Sequence, residues 1–112
     1  MKKLNIIKEN EEYNRIITNV KPFKYKGYLI FLEKKDNKYY KFGFSVSKHL
    51  CNAVGRNKIK RQLKDIIDKN NYKNNFNCII ILRKEVLNLS FEEFKNFLLD
   101  SFKKIKITKE NN

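Results

Sequence analysis

Acidic residues are scarce in this 112-residue sequence: 12 Asp+Glu stand against 26 Lys+Arg, for a formal net charge of +14. Tryptophan is absent, and there are only three glycines, one proline, two cysteines and one histidine. Each shortage excludes something. With no Pro/Gly/Ser linker and no internal repeat, the length fits one domain, expected over residues 1–112. Cys51 and Cys78 form no CxxC pair, and with His49 they offer three ligands at most, which no spacing draws together. A reduced, cytoplasmic, metal-independent fold is therefore expected. No apolar run approaches the ~18 residues of a membrane span. The basic N-terminus lacks an apolar core and a small-residue cleavage site, so no signal peptide is expected.

Catalytic constellations are equally scarce. There is no Gly-rich phosphate loop, no HExxH and no G-x-S-x-G. His49 lies two positions from Cys51, but a Cys–His nucleophile needs an orienting acid, and none is placed for it. Glu11, Glu12, Glu92 and Glu93 sit where helices start, and Asp65 and Asp68 lie on a helix flank. Catalysis by the protein's own side chains is not expected.

What is present is a foldable, strongly basic chain. At 41% hydrophobic and 13% aromatic it can bury a core and is no disordered tail. The charge excess weakens the compact state by self-repulsion, which points to a polyanionic partner, either nucleic acid or anionic membrane. The chain abounds in Lys, Asn and Ile, a bias against arginine. Its four arginines, Arg15, Arg56, Arg61 and Arg83, are therefore candidates for work lysine cannot do, such as bidentate phosphate contact.

Periodicity gives the elements. Asn10–Asn19 reads as a helix capped by Asn10, with Tyr13, Ile16 and Ile17 on one stripe and Pro22 blocking continuation. Tyr25–Glu33 is aromatic and β-branched, a strand apolar on both faces: Tyr28, Ile30 and Leu32 oppose Leu29 and Phe31. After a turn at Lys34–Lys38, Tyr39–Ser47 is a second strand, expected to pair with the first as a hairpin. Phe42, Phe44 and Val46 face a core, while Gly43, Ser45 and Ser47 face away. A helix follows from about Asn52 to Asp68, with Ile59, Leu63, Ile66 and Ile67 on its buried third. Asn70–Asn75 is a polar loop. Asn77–Arg83 is a strand buried on both faces. Ser90 and Glu93 form a capping box for a helix over Phe91 to about Ile105, whose expected stripe is Phe91, Phe94, Leu98, Phe102 and Ile105. The order α-β-β-α-β-α implies an α+β two-layer sandwich with helices on a small mixed sheet.

One stretch concentrates the charge. Lys48–Lys64 holds six Lys/Arg and no acid, although acids make up 12 of the 112 residues overall. On the helix, Asn57, Lys58, Lys60, Arg61 and Lys64 lie opposite the core stripe, with Arg56 between the two. A basic helix face beginning at a free helix N-terminus is suited to tracking a sugar-phosphate chain.

The segment Phe44-Ser45-Val46-Ser47-Lys48, followed by Asn52-Ala53-Val54-Gly55-Arg56-Asn57-Lys58-Ile59-Lys60-Arg61, resembles the signature of the bacterial ribonuclease P protein component. Asn10–Tyr13, Ile79–Lys84 and Phe91–Lys104 resemble that family's first helix, last strand and last helix. The resemblance implies a ribosomal-protein-like sandwich with a left-handed βαβ crossover, against the usual handedness. It implies removal of the 5′ leader of precursor tRNA by a catalytic RNA with bound Mg²⁺, assisted by the protein. Partners would be that RNA and precursor tRNA, with no membrane and no obligate protein partner. Lys48, Asn52, Arg56, Asn57, Lys58, Lys60, Arg61 and Lys64 would bind the catalytic RNA. Tyr13, Ile17, Leu29, Phe31, Ser45 and Ser47 would line a cleft for the single-stranded leader, a platform suited to base stacking. Three positions depart from the family pattern. Cys51 replaces a usual glycine, so its turn has to form without the left-handed freedom of glycine. Lys58 replaces an arginine, keeping the charge without the fork. Ile17 replaces a second aromatic, leaving apolar contact only.

A general basic RNA-binding or ribosome-associated protein is the alternative, separated by whether leader cleavage rises on mixing with the cognate RNA. A protein nuclease would need a carboxylate cluster, which is missing. A membrane-surface role fits least, because both amphipathic helices are needed for the core.

Overall fold

The computed structural model describes residues 1–109; the last three residues of the expected 1–112 domain lie outside them. The elements are α1 (Asn10–Asn19), β1 (Phe23–Tyr25), β2 (Tyr28–Lys34), β3 (Tyr40–Val46), α2 (Ala53–Asp68), β4 (Phe76–Leu82) and α3 (Phe91–Lys104), with 3-10 turns at Lys3–Asn5 and Lys84–Asn88. The α+β class and the mixed sheet are as expected, and the order gains one strand. The Tyr25–Glu33 stretch is in fact two strands, β1 and β2, folded against each other at Lys26–Gly27. There φ is 49° and 91°, and a Cβ on Gly27 would stand 3.0 Å from Val86 Cγ1, so the turn requires glycine.

The sheet order is β1-β2-β4-β3. The expected hairpin between the two long strands is therefore not formed. β4 lies between them, antiparallel to β2 and parallel to β3. The reason lies in β4 itself: it is buried along almost its whole length. The sheet centre is the one place that covers both its faces and both its edges. A parallel β3–β4 pair needs a long crossover, and α2 supplies it.

Alternation on the strands separates two cores. Tyr28, Ile30, Phe42, Val46, Cys78 and Ile80 point to the face on which Leu63, Ile66 and Ile67 of α2 and Phe94, Leu98 and Phe102 of α3 pack. The capping box at the start of α3 is formed, with the Glu93 amide donating to Ser90 Oγ at 3.1 Å and the Ser90 amide donating to Glu93 Oε1 at 3.0 Å. Three expectations are corrected. Phe91 is 49% exposed, because Val86 and Leu89 of the preceding turn pack into the core in its stead. Tyr72, inside the supposed polar loop, is buried, with its hydroxyl donating to the Ile67 carbonyl at 2.9 Å and its ring against Phe42. A lone aromatic in a polar run leaves no periodicity to detect. Asn10 is the first residue of α1 and not its cap; Glu9 holds that position without a side-chain bond.

On the other face, Ile16 of α1 and Ile7 pack with Phe31 and Ile79 as a second cluster. Asn77, fully buried on this face, donates from Nδ2 to Glu12 at 3.1 Å and to Glu33 at 3.0 Å. The Arg15 guanidinium grips both carboxylate oxygens of Glu33. These bonds pin α1 to the sheet. The Arg15 hydrogen bond holds the Glu33 carboxyl below the usual carboxylate range, with the Asn77 amide adding to the effect against burial. A depressed carboxyl contributes stability above the ordinary range, near about pH 4.3, and loses it as pH falls through the lower folded value. Urea unfolding at neutral pH and below about pH 3 is expected to show a smaller acid loss for Glu33→Gln than for the parent protein. Equal losses would remove Glu33 from the acid sensitivity.

Candidate nucleic-acid interface

The loop after β3 prepares the start of α2. The His49 amide donates to Ser47 Oγ at 3.1 Å. Asn52 caps the helix, its Oδ1 accepting from the Gly55 amide at 2.9 Å. Cys51, which stands where a glycine was expected, adopts no positive φ, and its side chain packs against α2 at Gly55. Arg56 donates from Nη1 to the Cys51 carbonyl at 3.1 Å, which straps the loop to the helix. Asn52, Ser47 and Arg56 thus have local structural bonds besides any contact with a partner.

At about 100° per residue, Arg56, Lys60, Lys64, Asn57 and Arg61 follow one another around α2 as one arc. Asn57, Arg61 and Lys64 are exposed, and Arg56 and Lys60 half-buried. α2 packs over β3, while α3 lies over β2, where the Tyr28 hydroxyl donates to the Phe94 carbonyl at 2.7 Å. The arc's Arg56–Lys60 flank therefore turns away from α3, toward the β3 edge of the sheet. Lys58 does not belong with it. It lies beyond Arg61 on the α3 side and lines a hollow with Ile59, Gln62 and Phe91. Lys48 is exposed on the loop.

The opposite face of the sheet carries the other expected residues. Register aligns Lys24, Leu29, Ile81 and Ser45 in one row across all four strands. Leu29, Ile81 and Ser45 are half-buried and Lys24 is exposed. The next row, Phe31, Ile79 and Gly43, is covered by α1. Tyr13 lies over it, with its ring 3.4 Å from where a Cβ on Gly43 would stand. Ile17 packs beside Leu29 and Ile81 in the same cluster. Five of the six expected cleft residues thus come together, while Ser47 lies past the strand end and is exposed. The Tyr13 hydroxyl is buried without a hydrogen-bond partner. Burial pushes its phenol up; the Ser45 hydroxyl is near enough to offset this in part, but not in hydrogen-bonding geometry. The β3 edge is covered at Phe42, whose carbonyl accepts from the Ile7 amide at 2.9 Å. Ser45 and Val46 lie beyond that cover, next to the start of α2.

Sequence reasoning missed Lys24 and Ile81, which complete the row. Ile81 gave no signal, because a strand buried on both faces shows no alternation. The other arginines are not in the arc: Arg15 holds Glu33, and Arg83 lies 3.8 Å from Glu85. Among the described residues, no three His, Cys, Asp or Glu side chains gather as metal ligands. No helix among them is long and apolar enough to cross a membrane.

The family model described as Ribonuclease P matches residues 1–106. The chain belongs to the ribonuclease P protein family. It is 37% identical over 109 residues to the ribonuclease P protein component of Mycoplasma mycoides, covering 95% of this chain and 100% of that one. It is 34% identical over 107 residues to the Bacillus cereus ribonuclease P protein component, covering 93% of each. A Staphylococcus aureus RNase P protein mutant superposes with a TM-score of 0.84 at 27% identity, over 94% of this chain and 91% of that one. The ribonuclease P match spans both the α2 arc and the row over the sheet.

The orphaned Tyr13 hydroxyl costs free energy in the unliganded protein, since a buried polar group without a partner costs about 1–3 kcal/mol. Tyr13→Phe is therefore expected to raise stability by about 1 kcal/mol in urea unfolding. A loss of stability would show that the hydroxyl has a partner in the folded state.

Proposed function

We infer that this chain serves as the protein subunit of the ribonuclease P ribonucleoprotein, assisting removal of the 5′ leader from precursor tRNA. The α2 arc holds the catalytic RNA: Arg61 offers an exposed guanidinium fork for phosphate, Lys60 and Lys64 add charge, and Asn57 adds hydrogen bonds. Arg56 contributes with its remaining nitrogens while it straps the loop. The half-open Leu29–Ile81–Ser45 row, with Tyr13 and Ile17 at its border and Lys24 and Lys48 nearby in the sheet and loop, takes the single-stranded leader. Bases lie on the apolar surface, and phosphates meet the lysines. The buried Tyr13 hydroxyl and the Ser45 hydroxyl await a polar group of the leader.

The observation that carries this reading is the junction at the β3 edge. β3 carries Ser45 of the apolar row, and the loop that leaves it at Val46 leads into α2, which packs over the same strand, so one protein can hold an RNA scaffold and a substrate strand on either side of one sheet edge. Hydrolysis is assigned to the RNA. Among the described residues no three metal-ligating side chains gather, and Mg²⁺ would be held mainly by RNA phosphates, whose local density the bound protein organises.

The test is reconstitution with the cognate RNA at low Mg²⁺. The parent protein is expected to raise leader cleavage, and Arg56→Ala with Arg61→Ala to abolish most of that gain. The double variant is also expected to lower the slope of log affinity against log salt by about one for each phosphate it no longer neutralises. Unchanged cleavage by the double variant would contradict the reading, and binding to any duplex without a cleavage gain would favour a general RNA-binding role.

A further inference from the structure

The exposed ring of Phe91 is at odds with its helix. The α3 stripe of Phe94, Leu98 and Phe102 is buried, yet Phe91 at its head is 49% exposed, and Leu87 in the preceding turn is 46% exposed. Both line a hollow of about 330 Å³ between the start of α2, the Lys84–Asn88 turn and the start of α3. Its floor is Ile59 and Phe94; its only polar long side chains are Lys58 and Gln62, both from α2. The two exposed side chains and the hollow between them form one concave apolar surface.

The surrounding charges choose the occupant. Between Asn52 and Lys64, α2 and its cap carry five Lys/Arg and no acid. On the other rim, Glu92 and Glu93 occupy the first turn of α3, Glu93 being engaged in the capping box, and in the turn before Glu85 stands with Lys84 and with Arg83 at 3.8 Å. A phosphate chain is thus drawn to the acid-free α2 rim in preference to the α3 rim, where charges of both signs alternate. A group hanging from that chain toward α3 meets an aromatic ring, aliphatic walls and one amide. A nucleobase has these properties: a π face for Phe91, and donor and acceptor edges for Gln62.

We propose that the Phe91 hollow receives an unstacked base from the RNA bound along α2, with Lys58 contacting the phosphate at the point where the base turns in. This rests on the RNA-binding role of that helix. It also gives Lys58 a role apart from the arc: it stands beside the hollow, within its lining.

The chain has no tryptophan, so Phe91→Trp places a single tryptophan in the hollow, excited selectively over the tyrosines at the red edge of its absorption. Titration with the cognate ribonuclease P RNA is expected to quench its emission in step with binding, with affinity retained. Phe91→Ala is expected to weaken binding at least about fivefold while leaving the salt slope unchanged, because stacking releases no counterions. Phe91→Trp keeps the aromatic surface and covers the case in which Phe91→Ala fails to fold. Arg61→Ala, read in parallel, reports the phosphate contact alone. An unquenched tryptophan and an unchanged Phe91→Ala affinity, with Arg61→Ala still weakened, overturn the base site and leave the RNA-binding helix standing. If Arg61→Ala is also unchanged, both fall. Loss of self-association in Phe91→Ala with RNA affinity intact would assign the hollow to a second copy of the chain and overturn the proposal.

Discussion

Everything in this molecule is arranged around β4. It is a seven-residue strand, Phe76–Leu82, with apolar side chains on both faces, so it has to sit in the middle of the sheet. That placement separates β2 from β3 and makes the β3–β4 pair parallel. It also sends α2 across one face as the connection. With α2 committed to that crossover, its Leu63–Ile67 stripe is buried and its remaining surface is fixed at the β3 edge. On the reverse face, the same strand supplies Asn77 to anchor α1, Ile79 to pack under Tyr13, and Ile81 to complete the half-open row. One strand therefore sets the positions of both surfaces assigned to RNA.

Burial and charge divide the work between them. The core under α2 and α3 is dense in aromatic rings; Phe42, Tyr72, Tyr40, Phe76 and Phe102 contact one another with ring centroids from 5.0 to 5.9 Å apart. Such pairs add to plain area burial and help a small domain offset the self-repulsion of its +14 charge. The lysines spread over loops and helix ends supply long-range, salt-sensitive attraction. The short-range geometry comes from a few groups held in place: the Asn52 cap, the Arg56 strap to Cys51, and the α2 arc they aim.

How much of this could be read from the sequence follows from the kind of signal each element emits. The helices were legible because caps and 3.6-residue stripes are local, and the basic arc followed from the α2 stripe. The faces of the long strands were legible from alternation, which is why Leu29, Phe31, Gly43 and Ser45 fell on one side correctly. Strand neighbours were not legible, since pairing is non-local and a short polar turn suggests a hairpin whether or not another strand intervenes. Ile81 and Tyr72 were hidden by the absence of alternation around them. Phe91 misled because it continues a helical stripe beyond the end of the core beneath it. Arg15 was flagged with the other arginines, yet its fork holds Glu33 and so serves the fold. The family resemblance supplies what no periodicity contains: the proposed roles of the two surfaces and of a catalytic RNA.

The claim that one face of the sheet reads the leader while the α2 arc holds the catalytic RNA is tested most directly by a leader-length series. Precursor tRNAs with leaders from zero to several nucleotides would be bound by the RNA subunit with and without the protein. The affinity gained from the protein is expected to be absent for mature tRNA and to rise as the leader lengthens enough to cross the Leu29–Ile81–Ser45 row. Truncating that surface with Leu29→Ala should flatten the rise. A gain that is the same with and without a leader would contradict it.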